Sequence, residues 1–261
     1  MPAATKAKPD SDILYAADFS FAPYLPNREG DSGALLLATA KVDSTVQYIV
    51  KSETAELACN EFLYHKIATL LGLHTQEVKL FRDAPSHRFA AGSRYSPNAI
   101  PYRLEGSDKA NRHDFFCFEA LYIILNEEDS EEFYIDEKQR VFKLDNAAAF
   151  CMDYFFADAL LQRPGSEMSK KLQTSKLQYT CEQQYLMLLK TLSKKHGDEA
   201  ADDAVDMFMS FAELDEAALH DAYATLDAIY PAQFSSYYRA FIAIRKAACQ
   251  RFVHWLCEDG E

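Results

Sequence analysis

A lysine that closes an apolar strand, followed by a glutamate on the next helix, forms a pair suited to holding an anion. Lys51 ends the run YIVK, and Glu61 follows ten residues later in the segment CNEF. An ammonium presented by an apolar strand is poorly solvated in a dry cleft, so it gains most from a phosphate or carboxylate partner. Glu61 is the matching carboxylate; Glu56, on the same segment, is the weaker candidate. A strand-end lysine before a Glu-bearing helix recurs in many chains, so the pair alone does not define a site.

Two further groups of residues have chemical potential. EEDSEEFYIDE packs seven carboxylates into eleven residues but lacks the glycine and ligand spacing of an EF-hand. It reads as a solvated acidic loop, a Mg²⁺ site or another metal site. The stretch 82–112 is locally basic: Arg82, Arg88, Arg94, Arg103, Lys109 and Arg112 stand against Asp83, Glu105 and Asp108, a net of +3. It is expected to be a solvated loop, with an anion- or substrate-binding surface as the alternative. The sequence contains no zincin, Walker A or G-x-S-x-G motif. Cys59, beside Lys51 and Glu61 in this reading, has no evident His or Asp partner and is expected to be buried.

These groups must be positioned by a chain of 261 residues with net charge −13. A chain of this length buries roughly 70–75% of its unfolded surface and needs no staples. Excess negative charge disfavours general binding to nucleic acid or to anionic membrane surfaces. No apolar run reaches spanning or signal-peptide length, so a cytoplasmic protein is expected. The six cysteines are scattered without zinc spacing and read as buried thiols.

Residues 1–12 read as a disordered tail, 13–112 as an α/β lobe and 113–261 as a mainly helical lobe. GALLLATA and VQYIVK, split by polar VDST, predict a hairpin. TAELACNEFLYHKIATLLGL predicts a helix capped by Thr54 and ended at Gly72. EVKLF predicts a strand, and IPYRLE an edge strand within the 82–112 loop. HDFFCFEALYIIL predicts a buried helix, and EEFYIDEKQRVFKLD a strand, turn and strand. Helices are then expected over roughly 147–162, 167–195, 198–211, 215–229 and 232–257. Phe252, His254 and Trp255, with Tyr237 and Tyr238, are expected to pack on the core or a partner.

The order of a Gly-bearing turn, a hairpin ending in Lys and a helix bearing Glu suggests a kinase-like nucleotide site. The fuller sequence resembles the N-terminal lobe of HipA-like kinases, on YIVK at 48–51, NEF at 60–62 and IATLLGL at 67–73. The resemblance covers roughly residues 30–150, and the helical remainder fits at the level of class. It implies an α+β, two-lobed protein-kinase-like fold with a small β-rich N-terminal lobe, binding ATP and Mg²⁺ between the lobes. Lys51 would bind phosphates, and Glu61 would orient it. Asp145, after the strand RVFKL, would hold Mg²⁺, since a strand-end carboxylate facing a cleft can coordinate a cation that bridges phosphates.

The catalytic loop departs from the family. Counting back from EFYID puts Glu127 where the family has its catalytic Asp and Glu132 where it has a metal-binding Asn; Asn126 or Asp129 could instead fill one of these roles. The extra methylene of Glu moves a carboxylate by about 1 Å, and misplacement of that size can cost about 10²-fold. The resemblance therefore implies an ATP-dependent kinase acting on a protein Ser/Thr or other hydroxyl. One alternative is an inactive kinase-like module that binds a partner protein. Another is an acidic helical interaction protein unrelated to kinases, in which nothing would bring Lys51, Glu61 and Asp145 together.

Overall fold

The computed structural model describes residues 12–24, 35–51, 54–85, 89–127, 132–150, 194–195, 197–230 and 233–258. Six strands form the first sheet: β1 (Ile13–Tyr15), β2 (Phe19–Pro23), β3 (Leu35–Ala40), β4 (Gln47–Lys51), β5 (Val78–Arg82) and β6 (Phe89–Arg94). Their spatial order is β1-β5-β6-β4-β3-β2, with β1 parallel to β5 and the other pairs antiparallel. The expected hairpin is β3–β4, in which Leu35 pairs with Lys51 and Thr39 with Gln47.

Alternation along the strands assigns each residue a face. Tyr48 and Val50 of β4 join Phe19, Ala38, Phe81 and Ala90 in one small core. Val78, Leu80, Phe89 and Ala91, on the opposite face, join the large core shared with the helices. Lys51 alternates with Val50, so its side chain leaves on the helix-covered face. Gly92 lies under the Phe81 ring: a Cβ there would sit 2.5 Å from Phe81 Cε2 and 3.1 Å from Val50 Cγ2. Gly92→Ala is therefore expected to cost about 1–3 kcal/mol by overpacking, read as a fall in the urea midpoint; an unchanged midpoint would refute this packing.

The covering helix is α1 (Ala55–Leu70). Thr54 caps it, its side chain accepting from Leu57 N–H at 3.4 Å, and Gly72 ends it at φ +83°, a conformation that costs a residue without Cβ little. Residues 58–64 are all buried, because the sheet lies on one side and the helical layer on the other. A second sheet orders β7 (Ile100–Pro101), β8 (Glu132–Ile135) and β9 (Val141–Leu144) antiparallel. α2 (Lys109–Ile124) packs on α3 (Asp198–Glu213), and α5 (Gln233–Glu258) on α3 and α4 (His220–Ile229). None of the described helices is long and apolar enough to cross a membrane.

Three expectations need correction. The 82–112 stretch is more than a loop with an edge strand: it contains β6, which lies between β5 and β4. Its sequence FAAGSR carries little β-branched signal, and its strand character comes from the neighbours on both sides. Residues 147–150 form a turn rather than the start of a helix, and Phe150 sits at φ +59° with its N–H donating to Leu125 O at 2.6 Å. Residues 215–229 divide into a 3-10 turn, Glu216–Leu219, and α4. The expected helices over 151–162 and 167–193, and the side chains of Phe252, His254 and Trp255, lie outside the described residues.

Several cations of the basic stretch are used in contacts within the fold. Arg82 lies over the Tyr15 and Phe89 rings and Arg94 over Tyr48; Arg112 donates to Ser107 O at 2.7 Å and Lys109 pairs with Glu199 at 3.4 Å. These contacts favour the structural reading of that stretch over an anion-binding surface.

Candidate functional site

Lys51 Nζ donates to Glu61 Oε1 and to Asp145 Oδ1, each at 2.5 Å. Three elements converge here: the end of β4, the middle of α1 and the turn after β9. Lys51 and Asp145 are 94 residues apart in sequence, so the contact comes from the fold rather than from local chain geometry. Glu61 is 1% exposed and Lys51 12%, whereas the Asp145 side chain is 41% exposed and stands at the lip of the site. Asp145 adopts φ +58°, in the left-handed region where a non-glycine residue is strained unless its surroundings impose it. The ion pair with Lys51 and the bond from Lys143 Nζ to the Asp145 carbonyl, at 3.3 Å, supply that constraint.

A second ion pair lies directly beneath. Lys143 Nζ donates to Glu127 Oε1 and, at 3.1 Å, to Asn146 Oδ1, and neither side chain of the Lys143–Glu127 pair is exposed at all. Among the described residues, Glu127 Oε2 has no hydrogen-bond partner. Burial pushes the Glu127 carboxyl up to about 7; Lys143 pulls it down, and the nearby charges of Glu61 and Asp145 push it further up. A water-sized pocket of about 10 Å³ adjoins this layer, lined by Glu61, His65, Thr75, Gln76, Lys143 and Asp145 among others. His65, pushed down to about 4 chiefly by burial, is neutral near pH 7 and shares a 2.6 Å hydrogen bond with Thr75 Oγ1.

The residues singled out from the sequence are distributed unequally. Lys51, Glu61 and Asp145 meet. Glu61, not Glu56, is the carboxylate on Lys51. Glu127 follows α2 and is tied to Lys143. Glu132 opens β8 opposite Leu144, and its Oε2 accepts from the Tyr134 hydroxyl at 3.2 Å. By strand alternation Glu132 shares its face with Tyr134, opposite the face of Phe133 and Lys143, which is paired with Glu127. Asn126 ends α2 at φ +48°, and Asp129 lies outside the described residues. Cys59 is buried, and burial raises its thiol well above the ordinary range, as expected of an inert core cysteine.

Lys143 escaped the sequence reading. Its signal was a lysine inside the otherwise apolar strand VFKL, since a lysine pointing inward from a strand requires a buried carboxylate partner.

By charge and exposure, Lys51 is the group here that could meet an anion and Asp145 the one that could meet a cation. Mg²⁺ takes hard oxygen ligands, keeps several waters and is commonly bound by one or two carboxylates plus phosphates. The part-exposed Asp145 carboxylate fits as one such ligand. Among the described residues no group of three or more His, Cys, Asp or Glu side chains could hold a metal, so a cation here would depend on phosphate oxygens.

The curled sheet with its covering helix, set against a mainly helical part, is a two-lobed kinase-like fold of the α+β class. The solved structure of the Helicobacter pylori proinflammatory kinase CtkA matches it with a TM-score of 0.56 at 10% sequence identity, covering 91% of this chain and 98% of that one. At that identity the likeness is one of fold. No protein-family profile and no curated protein matches the sequence.

Proposed function

We propose that the Lys51–Glu61–Asp145 cleft binds ATP with Mg²⁺ and that the protein is a HipA-like phosphotransferase acting on a protein Ser/Thr or other hydroxyl. The observation that carries this reading is the lysine held between a buried and a half-exposed carboxylate. Glu61 fixes the ammonium at the strand end, and Lys51 exchanges its contact with Asp145 for nucleotide phosphate oxygens. Asp145, so released, would hold Mg²⁺, which when bound would neutralise phosphate charge. Transfer forms a bond from the acceptor oxygen to the γ-phosphorus, passes the acceptor's hydroxyl proton to Glu127, breaks the bond to the β,γ-bridging oxygen and releases ADP. Positioning and charge neutralisation supply most of the acceleration.

A second reading, a nucleotide-binding module that engages a partner protein without transfer, has its own support. Glu127, at the position that the resemblance gives to the catalytic Asp, is wholly buried beneath Lys143 and must leave that pair to accept a proton. Incubation with γ-labelled ATP and Mg²⁺, with the protein itself and a general protein substrate as acceptors, separates the two. The phosphotransferase reading expects label on protein, lost in Glu127→Gln. Saturable binding of ATP with no label transferred and no ATP hydrolysed would establish the second reading instead.

A further inference from the structure

α5, far along the chain, reaches both halves of the site. The Tyr238 hydroxyl donates to Asn60 Oδ1 at 2.6 Å and lies 3.4 Å from the Glu56 carbonyl, while Asn60 Nδ2 donates to the Ala147 carbonyl at 2.8 Å. A carbonyl only accepts, so the Asn60 amide must turn its NH₂ to Ala147 and its oxygen to Tyr238; the relay has one consistent direction. Tyr237 donates to the Phe150 carbonyl at 2.7 Å, and the Phe150 ring packs edge-on against Tyr238 and Phe241. Asn60 is the residue before Glu61, and Ala147 lies two after Asp145. Asn60 and Tyr238 are both buried, so neither bond has water as a substitute.

We propose that Asn60 and Tyr238 are positioning residues: their relay from α5 through α1 to the 145–150 turn sets the Lys51–Glu61–Asp145 contact. Pulling α5 away removes the acceptor's partner on α1 and the Tyr237 tie on the turn together, so Glu61 and Asp145 lose their registration on Lys51 in one step. α5 thereby becomes the handle through which the helical part controls the site. The value of that control for catalysis rests on the nucleotide reading; the relay itself does not.

The test reads Lys51 directly, by its acylation rate in the full-length protein, measured by mass spectrometry with exposed Lys109 as internal reference. An amine clamped by two carboxylates reacts slowly, and loosening the clamp exposes it. Tyr238→Phe removes one oxygen and keeps the ring packing, and Asn60→Leu removes both bonds. Tyr238→Phe is expected to raise Lys51 acylation about fivefold, the change in a local opening equilibrium when one buried hydrogen bond is lost, and Asn60→Leu, which loses two, by more. The double variant is expected to show less than the product of the two, since both break one relay. Met207→Ala, in the core on α3, is the control for general destabilisation and should leave Lys51 unchanged. Unchanged Lys51 reactivity in Tyr238→Phe, or an equal rise in Met207→Ala, would overturn the proposal. Should the wild type bind no ATP, the nucleotide reading fails while the acylation rates still decide the relay.

Discussion

Replacing Lys51 by Met is expected to abolish the stabilisation that Mg–ATP gives the wild-type protein, about 2.7 kcal/mol when the nucleotide is present at 100 times its Kd. Where the wild type transfers phosphate, the rate should fall by about 10²–10³, the scale seen when one preorganised charge contact is removed. The substitution has a folding cost of its own, because Glu61 is 1% exposed and loses the cation facing it. Removing one member of a buried pair typically costs about 3–5 kcal/mol, whereas replacing both by apolar residues is close to neutral. Lys51→Met/Glu61→Leu is therefore the folded version of the same test.

Asp145→Asn supplies an independent arm. The side chain is 41% exposed, and its backbone sits at φ +58°, a conformation that Asn adopts more readily than most residues. The variant should fold as well as the wild type and lose the Mg²⁺-dependent part of nucleotide binding. Thermal denaturation with and without ATP and Mg²⁺ reads both variants; a wild-type response in either would contradict their assigned roles.

The second large effect is expected at Lys143. Lys143→Met leaves the Glu127 carboxylate in the interior with neither oxygen bonded to an ammonium, at a cost of about 3–5 kcal/mol. The cost should depend on pH. In the folded protein the Glu127 carboxyl is raised from its ordinary 4.5 to about 7. A carboxyl raised by folding contributes stability that is fully present below about 4.5 and is lost as pH rises through 7. Without Lys143, the attraction that opposes this rise is gone, while Glu61 and Asp145 still repel the ionised form. The urea midpoint of Lys143→Met is therefore expected to lag the wild type more at pH 8 than at pH 6. Equal losses at both would show that Lys143 does not hold down the titration of Glu127, and Lys143→Met/Glu127→Leu should recover most of the loss.

The sequence made the first half of this site legible and obscured the second. YIVK followed by a capped helix placed Lys51 and Glu61 on adjacent elements, and strand alternation then dictates that Lys51 leaves on the face α1 covers. Asp145 was located through its strand, VFKL, whose pairing with EFYI is regular. The acidic run around Glu127 was harder to read, because composition cannot distinguish a solvated carboxylate from a buried one. Glu127 is buried and paired, whereas Glu132, five residues later, lies on the opposite face of the second sheet from Lys143, the partner of Glu127. The Asn60–Tyr238 bond spans 178 residues, and nothing local to either residue announces the other. β6 was missed for a similar reason: its alanines and glycine become a strand only between β5 and β4.

If Lys51, Glu61 and Asp145 form a nucleotide site, the folded protein must bind ATP there. Isothermal titration of the full-length protein with ATP, in the presence and absence of Mg²⁺, tests it most directly. Saturable binding at one site is expected, strengthened by Mg²⁺, abolished in Lys51→Met/Glu61→Leu and made insensitive to Mg²⁺ in Asp145→Asn. Absence of binding by the folded wild type, or binding that survives both variants with its Mg²⁺ dependence intact, would contradict it.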